Sequence, residues 1–84
     1  MKCYKYITET KIVTQNGQVD SNCNTITFLN TGTNNVIVDG IRITPGTSFT
    51  ILGHLNEMNI KTYSILFTAP GTGSLTIIYK RYVN

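Results

Sequence analysis

The sequence predicts an all-β domain: a small antiparallel sandwich or barrel of about seven short strands, jelly-roll-like or immunoglobulin-like. Three observations support this fold class. Apolar and polar residues alternate with a period of two along most of the chain, Thr and Ile are abundant whereas Ala occurs once, and turn-forming dipeptides separate the alternating segments. We therefore expect no helix longer than about two turns.

The chain has 84 residues, which corresponds to one small domain spanning residues 1–84. A chain of this size buries only about 60% of its unfolded surface, so an isolated monomer is marginally stable. We expect assembly to supply further stability, in a homo-oligomer or a lattice. The net charge is +3, but the basic residues are scattered. Nucleic-acid-binding domains cluster such residues on one face, so we expect no nucleic-acid partner.

The sequence contains neither an export signal nor an apolar membrane span. Its first residues lack the apolar core of a secretory signal, and no apolar run approaches the roughly 18 residues that cross a bilayer. These features predict a protein made in a cytoplasm, with no membrane partner. Cys3 and Cys23 do not have the spacing of a metal site, and the single histidine cannot complete one. We expect free thiols, no metal and no cofactor.

The N-terminal part, residues 1–24, is predicted as an extended arm or an edge strand, followed by a loop. An arm would add a strand to a neighbouring subunit, whereas an edge strand would pair within the chain's own sheet. Alternation places Tyr4 and Tyr6 on one side of this strand. We expect both to anchor an interface, because aromatic side chains bring a large contact area.

The dipeptide Asn16-Gly17 predicts a tight hairpin after the first strand. That turn would set Val19 opposite Thr14. It would also set Cys23 opposite Thr10 and away from Cys3, which argues against a disulfide. Residues 20–24 are polar and are predicted to lie outside the core.

The clearest structural pattern lies in residues 25–53, around Asp39-Gly40. A two-residue Asp-Gly loop between alternating apolar runs predicts a type I′ hairpin, since both positions need positive φ. The resulting register has three pairs: Val38 with Ile41, Ile37 with Arg42, and Val36 with Ile43. The first and third pairs then point inward, whereas Ile37 and Arg42 point outward to a predicted interface.

Two further strands belong to this stretch. Pro45-Gly46 predicts a type II turn, because proline presets φ and glycine accepts the positive φ. A strand over residues 47–52 follows the turn, and another over residues 25–29 precedes the hairpin. The predicted inward residues of these two strands are Ile26, Phe28, Phe49 and Ile51. We interpret the four strands as a meander.

Residues 54–59 are predicted as a surface connection in which Leu55 and Met58 cover the core. The alternative is that His54 and Glu57 form an acid–base pair. The sequence offers no nucleophile, second carboxylate or oxyanion site near them. We therefore expect no enzymatic activity.

The last two strands, residues 60–68 and 74–82, are predicted to form a hairpin across a turn at residues 69–73. An apolar face stays continuous if the strands pair Phe67 with Leu75, Ile65 with Ile77, and Tyr63 with Tyr79. Leu66 and Ile78 then lie on the outer face. Together with Ile37 they are predicted to form an apolar partner surface.

The central segment also carries a resemblance to a known class of proteins. Its elements are Asn30-x-Gly32, Val36-x-Val38-x-Gly40, Pro45-Gly46-x-Ser48-Phe49, Glu57 and Tyr63-x-Ile65-x-Phe67. In these elements, which span residues 28–67, the chain resembles small structural proteins of tailed bacteriophage virions, those of crAss-like phages among them. The resemblance implies a β-sandwich that coats or links a capsid or tail lattice without catalysis. It also implies virion partners, with the major capsid protein foremost.

The resulting hypothesis is a non-enzymatic virion structural protein, such as an auxiliary or decoration protein, that is made in the host cytoplasm and resides in the virion. The alternative is a ligand- or carbohydrate-binding β-sandwich module. Such a module needs clustered, exposed aromatic side chains. Tyr4, Tyr6 and Tyr82 are the candidates for that cluster.

Overall fold

The computed structural model describes residues 5–55, 57–69 and 73–83, and these residues form eight strands and no helix. The strands are β1 (Lys5–Val13), β2 (Gly17–Asp20), β3 (Thr25–Asn30), β4 (Val36–Val38), β5 (Ile41–Ile43), β6 (Ser48–Ile51), β7 (Thr62–Phe67) and β8 (Leu75–Val83). The all-β prediction is confirmed, with one strand more than the predicted number. The predicted turn at residues 69–73 lies mostly outside the described residues.

The strands form two antiparallel sheets of four. Sheet A has the order β1-β8-β3-β6, and sheet B has the order β2-β7-β4-β5. Each connection along the chain crosses from one sheet to the other, except the hairpin between β4 and β5. This order is that of a double-sheet jelly roll, one of the two arrangements that the sequence predicts.

The core lies between the two sheets and is built by alternate residues of the central strands. Ile26 and Phe28 of β3 are fully buried, as is Ile65 of β7. The Phe28 ring meets the Tyr63 ring edge-on across the core, with 5.1 Å between centroids. Burying each large aliphatic or aromatic side chain contributes about 1.5–3 kcal/mol to folding. The inward set that the alternation predicts is therefore largely correct.

The predicted hairpin at Asp39-Gly40 is confirmed in both turn and register. Asp39 and Gly40 have φ angles of 49° and 84°, as a type I′ turn requires. The three strand pairs are those the turn predicts. One inward residue was wrongly predicted: Ile41 is 41% exposed, because it lies beside the turn on an edge strand. Gly46 also has positive φ, at 80°, as its predicted turn requires.

The Asp39 side chain fastens this hairpin to the neighbouring strand β7. Its Oδ1 accepts a hydrogen bond from the Ser64 backbone N–H at 2.8 Å, and its own N–H donates to the Ser64 carbonyl at 3.0 Å. The Lys61 ammonium lies 2.9 Å from Oδ2. The Ser64 N–H and Lys61 together hold the pKa of Asp39 below its ordinary value.

The predicted meander and the predicted last hairpin are both wrong. β3 pairs with β6 and β8 rather than with β4, so residues 25–53 do not form a meander. β7 and β8 lie in different sheets, so they do not form a hairpin. The residues assigned to that hairpin, such as Ile65 and Ile77, are buried, but they reach the core from opposite sheets. Alternation identifies inward residues, and it does not distinguish a neighbour in the sheet from a neighbour across the sandwich.

The predicted hairpin at Asn16-Gly17 is also wrong, because β1 and β2 lie in different sheets. Val19 pairs with Tyr63 of β7 rather than with Thr14. The Asn16 side chain accepts a hydrogen bond from the backbone N–H of Phe67 at 2.8 Å, which holds the crossing to sheet B. β1 pairs with β8 in its own sheet, as the edge-strand alternative has it.

Cys23 does not lie opposite Thr10, as the rejected hairpin would place it. It forms an isolated bridge with Asn59. Cys23 is buried and its thiol is free. Cys3 lies outside the described residues.

Replacing Gly40 with Val should lower the free energy of unfolding by about 1–3 kcal/mol. A Cβ at Gly40 would meet no atom within 4 Å, so the cost comes from forcing positive φ on a β-branched residue. Gly17→Val is the matched control, since Gly17 is equally open but has no positive φ. Urea unfolding measures both variants. Equal midpoints for the two would contradict the turn assignment.

Replacing Asp39 with Asn should make stability depend less on pH. The pKa of Asp39 is lower in the folded state than its ordinary value of 3.8. The ionised carboxylate therefore stabilises the fold at pH values above 3.8. That contribution is lost as the pH falls through the lower, folded value. We expect Asp39→Asn to be less stable than the parent at neutral pH, and the gap to close below pH 3.8. Urea midpoints across this range test the linkage, and a gap independent of pH would refute it.

Candidate interaction surface

The connection between β6 and β7, residues 52–61, carries an unusual number of exposed aliphatic side chains. Four of them, here called the apolar loop, are exposed by 79%, 62%, 50% and 78%: Leu52, Leu55, Met58 and Ile60. Leu55 and Met58 were predicted to cover the core, and this is wrong. Polar groups occupy the inner side of the loop instead, so its apolar side chains point to solvent.

Asn24 is the first of these inner polar groups, and only 1% of it is exposed. Its Nδ2 donates to the backbone carbonyls of His54 and Glu57, at 2.8 and 2.9 Å. Its Oδ1 accepts a hydrogen bond from the Thr25 hydroxyl at 2.8 Å. One buried amide therefore satisfies two carbonyls of the loop. A Cβ on Gly53 would collide with the Asn24 backbone carbonyl, so the chain passes close to this amide.

Ser21 is the second inner polar group, and it is fully buried. Its hydroxyl donates to Asn59 Oδ1 at 2.7 Å and accepts from the Lys61 backbone N–H at 2.9 Å. Between them, Cys23 and Asn59 exchange two backbone hydrogen bonds. Burial raises the pKa of the Cys23 thiol, which keeps it protonated.

The prediction that residues 20–24 lie outside the core is therefore wrong for three of the five. Ser21, Cys23 and Asn24 are buried. Every buried polar side-chain atom among the described residues has a hydrogen-bond partner. Their burial costs little because each polar group is satisfied. The polar composition of residues 20–24 does not indicate this burial, since their hydrogen-bond partners come from a loop about thirty residues away in sequence.

A second feature lies at the same end of the sandwich. β1 and β8 continue as a two-stranded ribbon beyond the start of β3, which pairs with Lys80 but no further. Tyr6 and Tyr82 are direct cross-strand partners on this ribbon. The Lys80 ammonium lies 4.6 Å from the Tyr6 ring centroid and 5.6 Å from that of Tyr82. We call these three residues the tyrosine ribbon.

Arg81 fastens the ribbon to the buried polar groups. Its Nε donates to the Asn22 carbonyl at 3.1 Å and its Nη2 to the Ser21 carbonyl at 3.3 Å. Its Nη1 forms an ion pair with Glu9 on β1 at 2.5 Å. The tyrosine ribbon and the apolar loop therefore lie at the same end of the molecule.

The other predicted interface residues are divided between two faces. Ile37 pairs with both Leu66 and Arg42, so these three share the outer face of sheet B. Ile78 lies on β8 in sheet A, with Tyr6 on the same outer face. The predicted patch of Ile37, Leu66 and Ile78 is therefore wrong as a single surface. Tyr4 lies outside the described residues.

Sequence reasoning missed Leu52 and Ile60 as surface residues. Both lie at the ends of the predicted strands, residues 47–52 and 60–68, and the prediction therefore assigns them to strand ends. What distinguishes Leu52 and Ile60 from strand residues is that their neighbours, Gly53 and Asn59, contact the buried polar groups Asn24 and Ser21. This difference depends on tertiary structure.

The described residues offer no candidate metal site. They contain no group of three or more His, Cys, Asp and Glu side chains that could hold a metal ion. Glu57 Oε1 accepts a hydrogen bond from the backbone N–H of His54 at 2.7 Å, which closes a turn. In the described part of the chain, no helix is long and apolar enough to cross a membrane.

Comparisons with known proteins found no matching family model, no similar curated protein and no similar solved structure.

Replacing Asn24 with Asp should lower the free energy of unfolding by at least about 2 kcal/mol. The change removes the two hydrogen bonds that the buried side chain donates to the loop, each worth about 0.5–1.5 kcal/mol. It also places a carboxylate against those carbonyl oxygens. Asn22→Asp is the control, because this residue is exposed and its φ of 49° suits Asp equally well.

Urea unfolding and limited proteolysis report this effect. We expect Asn24→Asp to speed cleavage within residues 52–61, and Asn22→Asp to leave both measurements near the parent. Equal effects of the two variants would show that the buried amide does not hold the loop.

Proposed function

We propose that this chain is a non-enzymatic structural protein of a tailed-phage virion, which binds or decorates a capsid or tail lattice. The observation that carries the proposal is the apolar loop, four exposed aliphatic side chains on a connection held by buried hydrogen bonds. A rigid loop of this kind loses little conformational entropy when a partner covers it. The protein would be made in the host cytoplasm and would reside in the virion.

The apolar loop has enough exposed surface to support a specific contact. Complete burial of a large aliphatic side chain contributes about 1.5–3 kcal/mol. Four such residues approach the roughly 8 kcal/mol of a micromolar contact, before the costs of association. Contiguous exposed apolar surface on a small domain is typical of a partner site.

The fold and the resemblance of residues 28–67 favour a virion partner, with the major capsid protein foremost. Double-sheet jelly rolls occur in viral capsid proteins and also in lectins and cupins. The fold alone therefore does not select a function. The resemblance favours the first of these classes. The outer-face group of Ile37, Arg42 and Leu66 offers a second contact, since a lattice subunit touches neighbours in more than one direction.

Mass spectrometry of purified phage particles tests the proposal directly. We expect peptides of this chain in particles from its own source, at a copy number comparable with other structural proteins. Abundance in infected cells together with absence from particles would contradict it.

Replacing Ile60 with Ser should weaken binding of the purified chain to such particles at least about tenfold. Ile60 is 78% exposed, so the change removes about 1.5–3 kcal/mol of burial on binding, and 1.4 kcal/mol corresponds to tenfold. Ile12→Ser is the control, because Ile12 is also exposed but lies at the other end of the sandwich, near the β1–β2 connection. Co-sedimentation with particles measures both. Unchanged binding of the Ile60 variant would exclude the apolar loop as the contact.

A second candidate function is supported by the tyrosine ribbon. Cross-strand aromatic rings at an exposed position are suited to stacking on a sugar ring. Tyr6 is 57% exposed, and Tyr82 is its direct partner. Binding of the isolated domain to a glycan array, lost in Tyr6→Ala, would favour a carbohydrate-binding module over a virion role.

A further inference from the structure

β1 differs from every other edge strand of the sandwich. The other three edges, β2, β5 and β6, have only three or four residues, and β1 has nine. Short edges limit unwanted pairing, whereas a long edge presents a row of backbone N–H and C=O groups to solvent. Residues 5–12 are all exposed, because β1 extends well past the four residues of β2 in the facing sheet.

The side chains of β1 alternate between the inner and outer faces of sheet A, and this alternation limits how a further strand can pair with β1. Its pairing with β8 places Val13 and Lys11 on the inner face, opposite the buried Leu75 and Ile77. The other inner-face residues of β1 are Lys5, Ile7 and Glu9. The outer face carries Tyr6, Thr8, Thr10 and Ile12. The inner face thus holds charges of both signs within one short strand.

We propose that β1 pairs antiparallel with β1 of a second copy of this chain, across a two-fold axis at Thr10. In that register, Glu9 of each copy lies opposite Lys11 of the other, and Ile7 lies opposite Val13. The two ion pairs and the two apolar pairs are generated by symmetry, as in any isologous interface. Thr10 faces Thr10 on the axis.

The neighbouring registers are worse for a definite electrostatic reason. Pairing must keep inner residues opposite inner residues, so the axis can move only to another residue of the strand. An axis at Glu9 sets two carboxylates opposite each other, and one at Lys11 sets two ammonium groups opposite each other. An axis at Thr8 places Lys5 opposite Lys11. Within β1, an axis at Ile7 also pairs opposite charges, Lys5 with Glu9, but it aligns only residues 5–9 of the two strands. The axis at Thr10 aligns residues 7–13 and is therefore the better register.

The existing contacts of Glu9 are compatible with this register. Its Oε1 holds Arg81 at 2.5 Å, and the side chain is half exposed. The second carboxylate oxygen is the acceptor for Lys11 of the other copy. Exposed cross-strand ion pairs contribute only about 0.2–1 kcal/mol each. The dimer should therefore be modest in affinity and weaken with salt, with the backbone ladder supplying the remainder.

The pairing goes beyond the proposed function and does not depend on it. It joins the two A sheets into one sheet of eight strands, with both B sheets on the same side. Because the β1 strands run antiparallel, the apolar loops of the two copies lie at opposite ends of the dimer. One dimer would thus present two identical partner sites that face away from each other.

Cysteine cross-linking tests the register in the full chain. In a Cys3→Ser background, Thr10→Cys places two thiols opposite each other, with Cα atoms about 4.5–5.5 Å apart. That distance suits a disulfide. Thr8→Cys is the matched control on the same face of the same strand. Its two copies would be offset by four residues, or about 13 Å, which is too far to bridge.

We expect mild oxidation to convert Thr10→Cys to a covalent dimer, at least tenfold faster than Thr8→Cys. Equal rates, or faster cross-linking of Thr8→Cys, would overturn the register. Absence of cross-linking in both variants, together with sedimentation as a monomer at high concentration, would overturn the pairing itself.

A charge exchange provides the second test, by sedimentation velocity. Lys11→Glu makes both positions acidic and Glu9→Lys makes both basic, so each variant alone should associate at least tenfold more weakly than the parent. An equimolar mixture of the two should associate again. Arg42→Glu carries the same charge change on sheet B and should dimerise like the parent. Failure of the mixture to associate, with both variants folded by circular dichroism, would contradict the ion pairs. If Glu9→Lys does not fold, the cysteine pair decides alone.

Discussion

The hydrogen bonds from the Asn24 amide to the carbonyls of His54 and Glu57 determine what this surface presents. A buried amide must find acceptors, and a loop that leaves its strand must find donors for its carbonyls. Here the amide donates to the loop carbonyls, so the backbone of the loop faces inward. Its aliphatic side chains then have only solvent to face. An apolar surface on a short connection is thus a consequence of polar burial beneath it.

The jelly-roll order explains why these groups meet. Apart from β4 and β5, consecutive strands alternate between the sheets, so connections distant in sequence gather at the ends of the sandwich. The β2–β3 and β6–β7 connections share one end, and Arg81 of β8 reaches both the Asn22 and Ser21 carbonyls there. This end combines a rigid polar interior with an apolar and aromatic exterior. Such a combination is typical of a recognition surface rather than of a ligand cavity.

Local chemistry made part of this fold predictable. The Asp39-Gly40 turn fixes its own register, because positive φ at two adjacent positions admits one kind of hairpin. Inward residues such as Phe28 and Ile65 follow from alternation alone. Alternation does not show which sheet each strand joins, since a residue can be buried in either sheet and give the same pattern. The buried Asn24 and Ser21 were not predictable for a related reason: their partners are distant carbonyls, and composition marks both residues as loop.

The same topology leaves β1 as the one long edge, and its position matters for any assembly. Three edges are too short to recruit a strand, so sheet extension is directed to a single side of the molecule. The apolar loop lies at the end of the sandwich, roughly perpendicular to that side. An interface at the β1 edge therefore leaves the end surface uncovered. The proposed self-association and the proposed partner binding would then use separate groups of residues, Glu9 and Lys11 for one and Leu52 and Ile60 for the other. Two separate contacts of this kind would require no enlargement of the core.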